Sequence, residues 1–351
     1  MSLKFLVTGD LQAHRWRQFA YTTKSGMNSR LRNCLRVLSF VRKTAVELGI
    51  NKVLLNGDIL EESDLIDVEV FTGVYNELEK NYDARIETVI NTGNHDVHGE
   101  LDGRVLCALR AFRKIATIVE KPTLVWNRVQ VVPWMADPNS IIAAVRNISE
   151  PEKKILVLHC GVQGARTGPT NYLLRNPIKL GDVRSSEFAA ILLSDYHTSQ
   201  RLQEDPPVWY LGSPLQHTFG ETHKPCIWRI LLRGSGGPDL KRIYTYFPRF
   251  RRISADSEQE LKERTASFRG DYVRVSPRSN GLSDDTIARI SEEIGYQVVI
   301  NRKEEEKEDV QDVQSVNFQS AMCDYVWKNV KSKSRGERLL KLGWRIFNGE
   351  T

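Results

Sequence analysis

Short apolar runs separated by polar turns punctuate the first two-thirds of the chain. Residues 4–8, 52–55, 87–90, 129–132, 154–158, 189–193, 208–211 and 226–232 are mostly rich in Val, Ile and Leu. Most end in Gly, Asn, Asp or His. Continuous apolar runs of this length predict strands buried on both faces. Helical spacing lies between several of them. In residues 28–48, Leu31, Leu35, Leu38, Val41 and Ala45 recur every three or four positions, and Gly49 supplies a stop. Residues 67–80 and 101–115 read as two further helices. Strands alternating with helices imply an α/β layered core. Residues 226–232 and 240–247, joined by a Gly-Ser-Gly-Gly-Pro-Asp turn, predict a hairpin, so the sheet becomes mixed or antiparallel in the second half.

A composition shift follows. Residues 248–263 are polar and charged and end in a helix. A strand at 271–276, a helix at 283–294 capped by Ser283 and a strand at 296–301 form a small β-α-β unit. Residues 303–312 hold two lysines against six carboxylates, which reads as a solvated linker. In 313–351, Trp327, Leu339, Leu340, Trp344 and Phe347 are interleaved with Lys and Arg.

Composition narrows the class. The chain has 351 residues, 40% hydrophobic and 27% charged, which excludes collagen, coiled-coil and wholly disordered readings. No apolar run reaches the length of a spanning helix, and the N-terminus carries no signal-peptide pattern. Five scattered cysteines without a C-x-x-C pair argue against a disulfide framework and for a reducing compartment, such as the cytoplasm of a bacterium or phage-infected host. The net charge of +6 lies within residues 1–250, because 251–351 balance at 18 basic and 18 acidic residues. That balance permits a nucleic-acid partner without requiring one.

The chemistry gathers where the apolar runs end. The first is followed by Gly9, Asp10, Gln12 and His14, the second by Asn56, Gly57 and Asp58, the third by Gly93-Asn94-His95-Asp96. Residues 154–158 lead into His159, and 189–193 into Ser194, Asp195 and His197. In open α/β sheets this edge is where ligands bind, and Asp, Asn, Gln and His suit hard or borderline metals. A single Gly-Asp after a strand is usually a turn, but five such run ends in one chain point to a metal centre.

The order Asp-x-Gln, Gly-Asp, Gly-Asn-His-Asp, His, Asp-x-His resembles the calcineurin-like metallophosphoesterases, and Gly93-Asn94-His95-Asp96 is its most specific piece. Pro133-Trp134-Met135, Tyr210-Leu211-Gly212-Ser213-Pro214 and Phe219-Gly220-Glu221 look like the DNA-repair exonuclease branch of SbcD type. The resemblance implies a four-layer α/β/β/α sandwich of two mixed sheets with a small α+β cap. It divides the chain into a nuclease domain at 1–250, a capping domain with its linker at 251–302, and a charged linker with a partner-docking tail at 303–351. It implies two divalent metals, manganese first and magnesium or zinc after it. Asp10, Gln12, Asp58 and His197 would hold one, and Asp58, Asn94, His159 and Asp195 the other, with Asp58 bridging. His95 would serve the leaving oxygen or the transferring phosphorus.

The chain departs from the family pattern in three places. Gln12 and Asp195 replace imidazoles, which reads either as a harder site or as a decayed one. Glu61 stands where such nucleases often place a histidine. His14, Arg15, Trp16, His98 and His217 are candidate substrate contacts, with Trp16 either stacking on a base or packed, while His223 reads as surface. Expected partners are DNA, an SMC-like ATPase of SbcC type docked by the tail, and a second copy of the chain. The implied function is a DNA nuclease of a repair or recombination complex. Open alternatives are a small-substrate phosphodiesterase or phosphatase on the same core, a non-catalytic DNA- or ATPase-binding scaffold and, more distantly, a zinc amidohydrolase.

Overall fold

A computed structural model describes residues 2–266 except 102–103, 167–177 and 235–236, and beyond them 268, 270–276, 283, 285, 286, 289, 290, 298–300 and 340. Met1–Asn301 form one compact unit and Arg302–Thr351 a second. The charged run and the apolar-basic tail lie outside the described residues, Leu340 excepted, as does most of the helix expected at 283–294.

The strands are β1 (Leu3–Thr8), β2 (Lys52–Asn56), β3 (Glu87–Asn91), β4 (Val97–Leu101), β5 (Arg104–Cys107), β6 (Thr117–Val119), β7 (Thr123–Val125), β8 (Val129–Val132), β9 (Ile155–His159), β10 (Ala190–Ser194), β11 (Gln200–Gln203), β12 (Val208–Tyr210), β13 (Cys226–Leu232), β14 (Asp239–Tyr244), β15 (Phe250–Ile253), β16 (Tyr272–Val275) and β17 (Val298–Ile300). The α-helices are α1 (Ser29–Glu47), α2 (Val68–Asp83), α3 (Pro138–Arg146) and α4 (Glu258–Thr265).

Two six-stranded mixed sheets carry the core, in the orders β14-β13-β1-β2-β3-β6 and β11-β12-β10-β9-β8-β7. In the first, β1, β2, β3 and β6 run parallel, and the β13–β14 hairpin adds an antiparallel edge. In the second, β12, β10, β9 and β8 are parallel between antiparallel β11 and β7. The apolar runs are continuous because each strand is covered twice. Phe5, Val7, Leu54 and Val89 meet Val129, Val157 and Leu192 between the sheets. Leu6, Val53 and Leu55 point the other way, onto Leu31, Leu38 and Val74 of α1 and α2. Leu156, Leu158 and Ile191 cover the opposite outer face with Ile141 and Val145 of α3. The result is four layers, α/β/β/α.

The helix ends follow local chemistry. The Asn28 side chain accepts from the backbone of Arg30 and Leu31, and Asp67 from Glu69 and Val70. Residues 101–115 correct the helix expected there. β4 and β5 pair antiparallel through Val97–Cys107 and Leu101–Arg104, and a 3-10 turn at Ala108–Phe112 follows. Asp102-Gly103, a strong hairpin dipeptide, interrupts the helical spacing. Leu109 and Phe112, three residues apart, still reach the core.

A third, parallel sheet has the order β15-β16-β17. β15 lies within the segment expected to be polar, its Arg251 side chain paired with Asp271 at 2.9 Å. Phe19 and Phe219 from core loops pack on Phe250 and Tyr272 of this sheet.

The two large sheets are tied at one edge by buried amides. Asn56 Nδ2 donates to the Leu158 carbonyl at 2.9 Å and to Ser194 Oγ at 3.0 Å. Asn91 Nδ2 donates to Asn56 Oδ1 at 2.9 Å and to the Val132 carbonyl at 3.1 Å. This seam joins β2 and β3 to β8, β9 and β10 just below the run ends. Asn56→Ala leaves buried groups unpaired on both sheets, an expected loss of about 1–3 kcal/mol read as a lower melting temperature; an unchanged melting curve would show that the seam is dispensable.

Candidate metal centre

Three loops meet at the carboxyl ends of β1, β2 and β3, and the first two are laced together by their own backbone. Asp10 N–H donates to the Gly57 carbonyl, Gln12 N–H to Asp58, and Ala13 N–H to Ile59, at 3.0, 2.8 and 2.9 Å. Asp96 fastens the third loop. Its Oδ1 accepts from the backbone of Ile59 and Leu60 at 2.9 and 3.0 Å, and its Oδ2 from Gly93 at 2.9 Å. Four candidate ligands sit in left-handed backbone: Asp10, Gln12 and Asp58 at φ 53°, 45° and 51°, and Asp195 at 105°. Such conformations are rare away from glycine and cluster at functional sites. Gly57 and Gly93 are required by space. A Cβ on Gly57 would lie 2.0 Å from His159 Nδ1, and one on Gly93 2.1 Å from Asp58 Oδ1.

These turns bring Asp10, Asp58 and His159, all buried, within 4.8 Å of one another through one ligand atom each. His159 Nδ1 donates to the Asn56 carbonyl at 3.0 Å, which turns Nε2 toward the carboxylates. Asp58 Oδ1 lies 3.3 Å and Asn94 Oδ1 3.1 Å from that Nε2, and Asp195 Oδ1 lies at 3.9 Å. Asp195 N–H donates to Asp10 Oδ1 at 3.0 Å, and Asp10 Oδ2 is buried without a hydrogen-bond partner. On the other side, His197 Nδ1 donates to Glu221 Oε1 at 2.8 Å. Glu221 Oε2 accepts from the backbone of His217, whose Nε2–H donates to the Asp10 carbonyl at 3.1 Å.

A profile of the calcineurin-like phosphoesterase family matches residues 3–195, more than half of the chain. The chain belongs to the calcineurin-like phosphoesterases. A putative phosphoesterase, 078R, of Invertebrate iridescent virus 3 is 22% identical over 217 residues, 58% of this chain and 60% of that protein. The chain thus spans about 60% of the length of that curated relative. Among solved structures, it is similar to the purple acid phosphatase PPD1 of yellow lupin seeds, at 11% identity and TM-score 0.42 over 69% of this chain and 52% of that one. It is also similar to a dimetal phosphatase of Danio rerio, at 11% identity and TM-score 0.38, covering 68% and 98%. The Pseudomonas putida nuclease MPE matches at 11% identity and TM-score 0.31, covering 67% and 86%.

The donor set fits divalent cations. Two carboxylates and an imidazole offer ligand atoms within 4.8 Å of one another, the Asn94 amide oxygen lies 3.1 Å from that imidazole, and the buried Asp10 Oδ2 lacks any donor. Burial, against the pull of His159 and His197, pushes the Asp10 carboxyl up to about 6, and burial likewise raises Asp195. Burial also opposes the Asp58 charge, but His159 beside it holds that carboxyl below its ordinary value. A carboxylate packed in a dry site without enough positive charge resists ionisation, and a bound dication removes that resistance.

The remaining candidates separate by position. Gln12 is buried and reaches Asp58 through its backbone. His95 is half-buried; its N–H donates to Asp58 Oδ1 at 3.0 Å and its Nδ1 to the Glu61 carbonyl at 2.7 Å. His14 stands edge-on to Trp16 and 3.9 Å from Glu62, and Arg15 is paired with Asp67 and Glu69, each at 3.1 Å. The Arg30 guanidinium lies 4.7 Å from the Trp16 ring centre, and that indole is half-buried. His98 is exposed on β4. His217 is 3% exposed and stands behind Asp10; burial pulls its imidazole down to about 4, which keeps it neutral. His223, expected at the surface, is buried and bonded to Ser213 through Nε2.

Sequence reasoning quoted Asp96 and Glu221 within motifs but gave neither a role. Their work is to hold loops and to orient His197, through partners that include Ile59, Leu60 and His197, far from them in sequence. Asp96→Ala strands three buried backbone N–H groups, so a stability loss of at least about 2 kcal/mol is expected, with manganese affinity down about 10- to 100-fold. Unchanged metal content and melting would refute the fastening role. Glu221 also sets a pH dependence. Burial alone would lower the His197 pKa, but the hydrogen bond and charge of Glu221 push it up to about 9, and Glu221 itself is held down at about 2. A value raised on folding contributes stability that is complete below about pH 6.5 and lost as the pH rises through about 9. In the metal-free Glu221→Gln variant, the His197 titration followed by NMR should move down from about 9 and this alkaline loss should shrink, with Asp10 and Asp58 left to raise the pKa. A midpoint left near 9 would exclude the pairing as its cause.

Proposed function

We propose that the chain is a two-metal DNA nuclease that hydrolyses phosphodiester bonds with manganese, working beside an SMC-like ATPase in DNA repair or recombination. The observation that supports it best is the Glu221–His197 pair. Phe219-Gly220-Glu221 belongs to the stretch that resembles the SbcD-type nucleases, and its carboxylate orients a histidine of the candidate metal centre at 2.8 Å. Asp10, Gln12, Asp58 and His197 would hold one cation, and Asp58, Asn94, His159 and Asp195 the other. Oxygen donors at Gln12 and Asp195 suit manganese or magnesium better than zinc. When bound, the cations supply Lewis-acid polarisation of the phosphoryl group and lower the pKa of water.

The chain's own residues do the rest. Asp58 belongs to both ligand sets in this reading and would offer negative charge to both cations. His95 has its Nδ1 engaged by the Glu61 carbonyl, which leaves Nε2 to face the substrate. In the metal-free chain burial opposes its charged form, but Asp58 and Glu61 outweigh that and raise its pKa; in this reading the ring serves the departing 3′ oxygen as general acid. Ser and Cys nucleophiles are absent from this set, so a covalent enzyme intermediate is not part of the reading.

The test is manganese-dependent cleavage of end-labelled single- and double-stranded DNA, with bis-p-nitrophenyl phosphate alongside. Wild type should cleave DNA, and His95→Ala should lose about 10²- to 10⁴-fold in rate while retaining its metal. Hydrolysis of the small diester alone would instead make the chain a small-substrate phosphodiesterase.

A further inference from the structure

A cleft of about 490 Å³ opens beside the metal centre, between the core loops and the third sheet. Its lining includes Arg17, Arg30, Arg252 and Arg274, with Trp16 and Phe219, and no carboxylate. Its inner end is His217, which donates to the backbone of Asp10.

The arginines are not balanced locally. Arg30 is buried and donates to the Gln18 and His217 carbonyls, which leave its charge in place. Arg17, Arg252 and Arg274 make no ion pair or side-chain hydrogen bond with a described residue, and Arg274 Nε is buried without a partner. Arg252 and Arg274 are register partners on parallel β15 and β16, so two like charges stand side by side. Like charges directly opposite on neighbouring strands destabilise a sheet. The Arg274 guanidinium is set 4.2 Å from the Phe219 ring centre, which holds it at the cleft wall. Unbalanced guanidiniums in a concave site with an aromatic wall suit an anion with several acceptor oxygens.

We infer that Arg17, Arg252 and Arg274 form a docking cleft for a non-scissile backbone phosphate of a DNA strand whose scissile phosphate lies at the metal centre. This rests on the nuclease reading above. The phosphate would neutralise the Arg252–Arg274 pair and set the register of the strand without reading its bases.

The test uses the full-length protein. Binding of a fluorescent single-stranded DNA oligonucleotide is measured by anisotropy in EDTA across a salt series, and manganese-supported turnover of bis-p-nitrophenyl phosphate is followed separately. R252Q/R274Q should bind the oligonucleotide about ten-fold more weakly, with a log–log salt slope smaller by about one. Small-diester turnover should persist, because that substrate does not extend into the cleft. Wild-type affinity and slope in the variant would overturn the cleft while leaving the nuclease reading intact. Wild type that turns over the small diester but neither binds nor cleaves DNA would overturn both. If R252Q/R274Q also loses small-diester turnover, Arg17→Gln on the exposed loop decides: a weaker affinity and shallower slope support the cleft, and unchanged binding rejects it.

Discussion

A carboxylate buried away from water must find positive charge, and Asp10 and Asp58 impose that requirement on everything around them. Two imidazoles answer it in part. Each is gripped at its far nitrogen by an acceptor, His159 by the Asn56 carbonyl and His197 by Glu221. The grip on His159 directs its near nitrogen to the carboxylates, where Asn94 and Asp195 also gather. Protonated imidazoles satisfy the carboxylates only partly, as the raised Asp10 carboxyl shows. Divalent cations would satisfy them and leave both imidazoles neutral, as metal ligands must be.

Holding these groups together costs backbone strain. Left-handed conformations at Asp10, Gln12, Asp58 and Asp195 are each unfavourable by about 1–3 kcal/mol. The surrounding structure over-determines them through the lacing of the first two loops, the three backbone donors on Asp96 and the amide seam from Asn56 and Asn91. Gly57 and Gly93 permit the close approach of His159 and Asp58 that any side chain would block. The two sheets and their helices therefore act as the frame that keeps a strained, charged edge in place.

Charge is distributed differently on the two sides of that edge. The metal centre concentrates carboxylates, while the adjoining cleft concentrates guanidiniums on core loops and the third sheet. His217 links the two, neutral and buried, with its ring between Trp16 and His197. Arg15, Trp16 and Arg17, neighbours in sequence, meet different partners. Arg15 pairs with Asp67 and Glu69, while Trp16, with the Arg30 guanidinium near its ring, and Arg17 line the cleft.

Much of the fold was legible in the chain because burial on both faces writes itself as continuous apolar runs. The eight apolar runs as strands, α1, α2, the layered class and the 226–247 hairpin follow from local spacing, whereas β6, β7, β11, β15 and α3 are too short or too polar to stand out in it. The arrival of Asp10, Asp58 and Asn94 at one edge also follows, since β1, β2 and β3 are parallel and share their carboxyl ends; His159 comes from β9 of the other sheet and joins them only when the sheets pack. The β4–β5 hairpin was hidden because its residues also satisfy helical spacing, and the competing turn had to be weighed against it. What tertiary structure alone decided is which groups face each other across long sequence separations. Asp96 meets the loop after β2, Glu221 meets His197, His217 passes behind Asp10, and Arg252 stands beside Arg274. Local pattern records whether a residue is buried. Hydrogen-bond partners and strand register depend on where distant segments pack, and that is settled only when the sheets close on one another.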